Sequence, residues 1–363
     1  MKRNKISNIQ IKALIITSIV GVGVLSLPSD VALILDNDGW IAIVLSGLIT
    51  IPFIVMIDRI FKMYPNKNFF QIGREVLSPI LFDLFLIIIS VYVILLLAYT
   101  TRTFAEVIKA YLLETTPTEI IIITMLFAVS YIARGKLEDI ARMALIIYPI
   151  IIGFIIFLLV INLPNMDYTH IYPIFDIKFK AMPKATIAAL FSYIGYEFII
   201  LALPYVEDNK QTLSYSLRGM FFIIGIYLII FFITLSQYGI DQLKREIWPS
   251  IAVIKEVDLP GYFLENLDGI IMAAWVMVVF GTLGPFLYSS GLILSNLLKT
   301  KTHSFFIPYL LPIIYIIGLL PENMVQADEI LGNMVNYFAI VSIMAIPAII
   351  FIVGYIKKRR QKV

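Results

Sequence analysis

The sequence predicts an all-α integral membrane protein of ten transmembrane helices, with helices 1 and 6 broken. Three observations carry this expectation. Of the 363 residues, 60% are hydrophobic and only 15% charged, with a mean hydropathy of +0.93. Apolar runs of about twenty residues, the length of a helical bilayer crossing, recur along the whole chain. Two of these runs are interrupted by helix-breaking sequences, Gly-Val-Gly-Val-Leu-Ser-Leu-Pro (Gly21 to Pro28) and Phe-Ser-Tyr-Ile-Gly-Tyr-Glu (Phe191 to Glu197). Non-helical backbone at that depth survives only where protein or a water-filled cavity satisfies its polar groups. Paired breaks therefore point to a substrate site at the midplane.

The elements follow in order. Lys2, Arg3 and Lys5 before an apolar run give the start the look of a signal peptide. The run is too long, however, and no small-residue cleavage site follows it. Ser7 and Gln10 instead have the spacing of a capping box, which starts a retained helix. The ten segments fall at 9–34, 39–62, 80–110, 118–134, 141–162, 183–205, 211–236, 267–298, 303–321 and 330–356. The third and eighth exceed a bilayer's thickness and tilt or project beyond it. Pro149, Pro285, Pro312 and Pro347 lie inside apolar segments and are expected to kink them. The loop over 237–266 carries Trp248-Pro249 and an amphipathic stretch (Ile251, Ile254, Val257, Phe263), read as a short helix over the outer vestibule.

Basic residues set the orientation. With a cytoplasmic amino terminus, twenty of the 28 Lys and Arg residues fall on the cytoplasmic side, and both termini lie there. No linker or soluble domain interrupts the chain, so residues 1–363 form one permease-like domain. Ten crossings split into five plus five, with repeat one about 9–162 and repeat two about 183–356. An odd number per half inserts the second half upside down, which makes segments 1 and 6 counterparts.

The chemistry available is narrow. There is no cysteine and there are only two histidines, His170 and His303, both expected to be solvated and structural. No nucleophile–base pair or metal cluster is visible, so no catalytic residue, metal or cofactor is expected, and the chain is not read as an enzyme. The site residues expected from the breaks are Gly21, Val22, Gly23 and Val24 with Ser192, Tyr193, Gly195, Tyr196 and Glu197. The glycines open backbone conformations closed to other residues and let a ligand touch the main chain. Half-helix ends would offer N–H groups to a carboxylate and carbonyls to an ammonium, which suits an amino acid. Tyr193 and Tyr196 are placed as walls of its side-chain pocket. Glu197 is the sharpest single residue, because an acid near the bilayer centre is functional by default, with an N-cap holding the break open as the alternative. Arg102 and Glu106 share a helix face and read as a surface ion pair, or as an entrance that attracts carboxylates. Gly281-Thr282-Leu283-Gly284-Pro285, with Ser289 and Ser290, is expected to bring segment 8 close to the first break.

The first break resembles the Gly-x-Gly-x-x-x-x-Pro signature of the amino acid–polyamine–organocation transporters, and the second resembles their Phe-x-x-x-Gly-aromatic-acid motif. Within that superfamily the chain resembles the spore germination permease family, the B subunits of nutrient germinant receptors. The narrower likeness rests on the Lys-Ile-Ser-x-x-Gln opening, both breaks, the ten-span length and the Trp-Pro…Lys…Phe-Leu-Glu-Asn-Leu-Asp pattern at 248–268. It departs at Asn266, where many members carry Arg. The resemblance implies a leucine-transporter-like fold, the inner membrane of a dormant spore, and work beside an A-type membrane subunit and a C-type lipoprotein. It implies binding of a small-molecule germinant, often an amino acid, and no nucleic acid. Segment 5 (Arg142 to Asn162) carries no interior lysine or acid to serve as proton carrier, which favours sensing over pumping. An ion-coupled amino acid secondary transporter is the alternative, and a scaffold with a vestigial pocket is a third.

Overall fold

The structure is a computed structural model and describes residues 5–176, 178–207, 210–255 and 267–360. Helix covers each of the expected segments. The first comprises α1 (Asn8–Ile19) and α2 (Gly23–Leu35), and the capping box forms as its spacing predicts. Ser7 N–H donates to Gln10 Oε1 at 2.8 Å, and Gln10 N–H to Ser7 Oγ at 3.3 Å. A turn at Asp36, with φ 54°, leads into α3 (Gly39–Met63). The short α4 (Phe69–Val76) precedes α5 (Pro79–Tyr111), α6 (Thr118–Ala133) and α7 (Leu137–Asn162). The second broken segment comprises α8 (Met182–Leu190) and α9 (Ile199–Ala202) with short 3-10 turns between and after them, its two halves bent by 48°. Then come α10 (Thr212–Leu243), α11 (Pro249–Lys255), α12 (Leu267–Leu297) and α13 (Ile307–Leu319). The last segment is α14 (Met324–Ala327), α15 (Asn333–Ala339) and α16 (Ile346–Arg360), joined by π-helical turns at Asp328–Gly332 and Ile340–Ala345.

By length and apolarity, six helical stretches among the described residues qualify to cross a membrane, or seven with the bent pair. Three apolar helices are shorter, namely Asn8–Ile19, Thr118–Ala133 and Ile307–Leu319. Breaks and kinks divide what hydropathy runs together, so the length of unbroken helix understates the length of apolar chain.

The core is built around α1, whose residues Ile11 and Ala13 to Ile19 are all buried. A helix apolar on every side needs neighbours on every side, and α7, α10 and α12 supply them. Contacts define two faces. On the face that carries Ile6 and Lys357, Ile6 N–H donates to Tyr205 O at 2.9 Å and Glu207 N–H to Ile6 O at 3.1 Å. Arg74 reaches Asn296 O there at 2.8 Å, and Lys357 reaches Glu75 O at 3.3 Å. On the opposite face Asp36 pairs with both Lys178 and Lys244. The two histidines are more engaged than their loop positions suggested. His170 Nδ1 lies 3.0 Å from Ser236 O, beside the positive-φ Gly239 that bends the end of α10. His303 Nε2 lies 3.2 Å from Ala133 O.

Two prolines within the segments act through the carbonyls they leave free, since each removes the N–H that would serve residue i−4. Pro28 frees Val24 O, which accepts from Ser250 Oγ of α11 at 2.7 Å. Pro347 frees Ile343 O, which accepts from the Tyr196 hydroxyl at 3.1 Å. The short helix expected after Trp248-Pro249 is therefore real, and it is fastened to α2 beside the first break. Of its expected apolar stretch, Val257 and Phe263 lie outside the described residues, as does Asn266. Replacing Ser250 with Ala strands the Val24 carbonyl, and we expect a stability loss of about 1–2 kcal/mol in thermal unfolding of the solubilised protein.

Candidate functional site

Both breaks form, by different local means. α1 ends at Ile19, Val20 is extended (ψ 95°), and α2 restarts at Gly23. Gly21 and Gly23 keep negative φ, contrary to the expectation of unusual backbone. They are required by close approach instead. A Cβ on Gly21 would sit 2.6 Å from Thr282 Oγ1, and one on Gly23 would sit 3.2 Å from Ser192 Cα. The second break does need a special conformation. Gly195 has φ 126°, and its α-carbon faces the carbonyl of Ser18.

The unpaired carbonyls at the end of α1 are met by side chains from other elements, as buried helix ends require. Thr282 Oγ1 lies 2.9 Å from Thr17 O and 3.3 Å from Val20 O, so α12 does approach the first break. Ser192 Oγ donates to Gly23 O at 2.9 Å, and the Tyr227 hydroxyl donates to Ser192 O at 2.6 Å. The two breaks thus hold one another directly.

Between them opens a cavity of about 690 Å³. Gly21, Val22, Gly23 and Ser192 line it, together with Thr282 and Phe286 of α12. The first N–H groups of a helix have no partner within it, and Gly23, where α2 starts, lines this cavity. Sequence reasoning missed its charged walls. Asp30 of α2 and Asp328 of the first π turn lie on it, as do Lys184, Lys244 and Arg245. Tyr99 of α5 donates to Asp328 Oδ1 at 2.8 Å. Asp30 was visible as an acid inside an apolar run, seven residues beyond Gly23 and so on the same helix face. Asp328 gave no such signal, because it sits at a segment end.

The other expected site residues are elsewhere. Val24 is buried, its carbonyl held by Ser250. Tyr193 and Tyr196 do not wall this cavity. Tyr193 is fully buried, donates to Ile43 O at 2.8 Å and packs edge-on against Tyr227. Tyr196 turns to the last segment. Each phenol needed a partner for its hydroxyl in the apolar interior, and a carbonyl on a neighbouring helix supplied it. Gly195 is packed on α1. Glu197 faces a separate cavity of about 50 Å³. Its Oε2 accepts from Gly195 N–H and its Oε1 from the Tyr92 hydroxyl, both at 2.8 Å, so it also braces the break.

Arg102 is no surface residue. Its side chain is 6% exposed. It pairs with Glu106 at 2.8 Å and donates to Pro321 O at 2.9 Å and Gly318 O at 3.2 Å, closing the end of α13. Among the described residues no group of three or more His, Asp or Glu side chains is placed to hold a metal.

Comparisons with known proteins bear on this arrangement. Residues 5–327 match the family model described as "Spore germination protein". The chain is 25% identical over 361 residues to spore germination protein YndE of Bacillus subtilis (strain 168), covering 99% of each. It is 24% identical to spore germination protein A2 of the same organism, covering 98% of this chain and 97% of that protein. Its structure is similar, at a TM-score of 0.67 and 11% identity, to that of MHP1, a nucleobase-cation-symport-1 family transporter in a closed conformation with bromovinylhydantoin bound. That likeness covers 96% of this chain and 78% of the other, and shows the fold.

Proposed function

The chain belongs to the spore germination protein family, and from that premise we propose that it is the germinant-sensing membrane subunit of a spore nutrient receptor. It binds a small ligand, an amino acid by preference, between the two breaks and passes a change of shape to an A-type membrane subunit and a C-type lipoprotein. The observation that carries this reading is the open cavity of about 690 Å³ that Gly21, Val22, Gly23 and Ser192 help to line. Its volume lies within the roughly 300–1,000 Å³ of small-molecule sites. The start of α2 offers N–H groups to a carboxylate, and Asp30 and Asp328 offer negative charge to an ammonium.

In this proposal ten helical segments cross the inner membrane of the spore as two inverted sets of five, with both termini cytoplasmic. The basic clusters at 59–74, 134–142 and 357–360 fit that orientation. A sensor needs only different affinities in two conformations, without net transport.

The test is ligand-dependent thermal stabilisation of purified protein across amino acids and nucleosides. At a hundredfold excess over its dissociation constant, a true ligand adds about 2.7 kcal/mol of apparent stability. Asp30→Asn, which keeps the shape of the cavity wall and removes a negative charge that would meet the ammonium, should lose that response while the unliganded transition stays near wild type. Absence of any ligand shift would leave a scaffold. The fold shared with a transporter raises a second reading, the ion-coupled secondary transporter. Proteoliposomes containing this chain should show no gradient-driven accumulation of the stabilising amino acid, and accumulation would favour transport.

A further inference from the structure

The small cavity beside Glu197 differs from the large one in kind. It is lined by Tyr92 and Val93 of α5, Phe286 and Ser289 of α12, and Ser342 and Ile343 of the second π turn, among others. At about 50 Å³ it has room for a small ion with a few waters, and is far smaller than the other cavity. Phe286, a residue only 3% exposed, lines both cavities and so stands between them.

Two features of its wall are unfinished. Glu197 accepts a hydrogen bond on each oxygen, yet no Lys, Arg or His lines the cavity to balance an anion. A carboxylate in an apolar interior without a counter-charge is costly. The Ser342 hydroxyl, on a residue only 4% exposed, has no hydrogen-bond partner. The Ser289 hydroxyl donates to Pro285 O at 2.6 Å, which leaves its lone pairs free. Carboxylate and hydroxyl oxygens are the donor set of hard cations. With one acid and otherwise uncharged walls, a single positive charge gives neutrality, whereas a divalent ion would leave an excess.

We infer that this cavity is a second binding site, for one small monovalent cation held by Glu197 with Ser289 and Ser342, and closed off from the large cavity by Phe286. The ion joins the second break to the last segment, beside the Tyr196–Ile343 hydrogen bond that already links them. It is independent of what the large cavity binds.

The experiment is thermal unfolding of the full chain in detergent, without any germinant. Chlorides of Li⁺, Na⁺, K⁺ and Cs⁺ are compared with N-methylglucamine chloride at equal ionic strength. At least one small cation should raise the transition saturably by a few °C, while N-methylglucamine does not. Glu197→Gln, which keeps the shape and removes the charge, should abolish the increment. Ser342→Ala, which leaves the acid in place, should raise the half-saturating concentration by about three- to tenfold and so tests the site even if the Gln variant folds poorly. Identical transitions in every salt, a cation increment that survives Glu197→Gln, or one untouched by Ser342→Ala would overturn the assignment.

Discussion

Gly195→Ala is expected to prevent accumulation of folded protein. The backbone there has φ 126°, a region that side chains rarely enter. The added Cβ would stand 2.4 Å from Ser18 O and 2.6 Å from Ser18 C. Both are main-chain atoms of the buried α1, so no rotamer change relieves the overlap. Strain and overpacking together cost about 3 kcal/mol or more, a large part of the net stability of a typical domain. The measurement is monodisperse yield and transition temperature after solubilisation. Gly225→Ala is the matched control, since a Cβ at that helical position meets nothing within 4 Å. It should behave as wild type or slightly better, by up to about 1 kcal/mol of helix propensity. Equal yields from the two variants would mean that the second break is not packed against α1 as described.

Arg102→Met is the second large effect, with an expected loss of about 3–5 kcal/mol. The guanidinium satisfies carbonyls of Gly318 and Pro321 where α13 ends and reaches toward that of Glu322 at 3.4 Å. Methionine fills much of the same volume but leaves those acceptors and Glu106 unmatched. Arg102→Lys should recover only part, because one ammonium cannot reproduce the planar fork. Glu106→Gln should cost less, since that side chain is 21% exposed and water replaces some of the pairing. A fall in transition temperature ordered Met, Lys, Gln from largest to smallest is the expected outcome. A wild-type transition for Arg102→Met would show that the carbonyls find other donors.

Much of the frame was legible because it is written in local sequence. Ser7 and Gln10 close their box within one turn, and apolar runs place the ten expected segments, though not the short α4. Gly21 and Gly23 marked the first break correctly, although for close packing against Thr282 and Ser192 and not for a left-handed backbone. The site itself was read only in part. Gly21, Val22, Gly23 and Ser192 line the large cavity, whereas Tyr193 and Tyr196 point into the protein and Glu197 into a different hollow. Asp328 and Tyr99 come from segments no break marks, and they meet only because α5 packs beside the π turn of the last segment.

Sequence by itself determined that this chain lives in a membrane as helix and where two of its helices break, since both follow from the apolarity and backbone freedom of neighbouring residues. Only the tertiary structure decided which break residues face a cavity, that Arg102 is buried, and that Phe286 divides two hollows. The physical reason is that a polar group in an apolar interior goes wherever a partner exists. For Tyr196 that partner is a carbonyl freed by Pro347, 147 positions further along the chain from the hydroxyl to Ile343. No local pattern records such a distance.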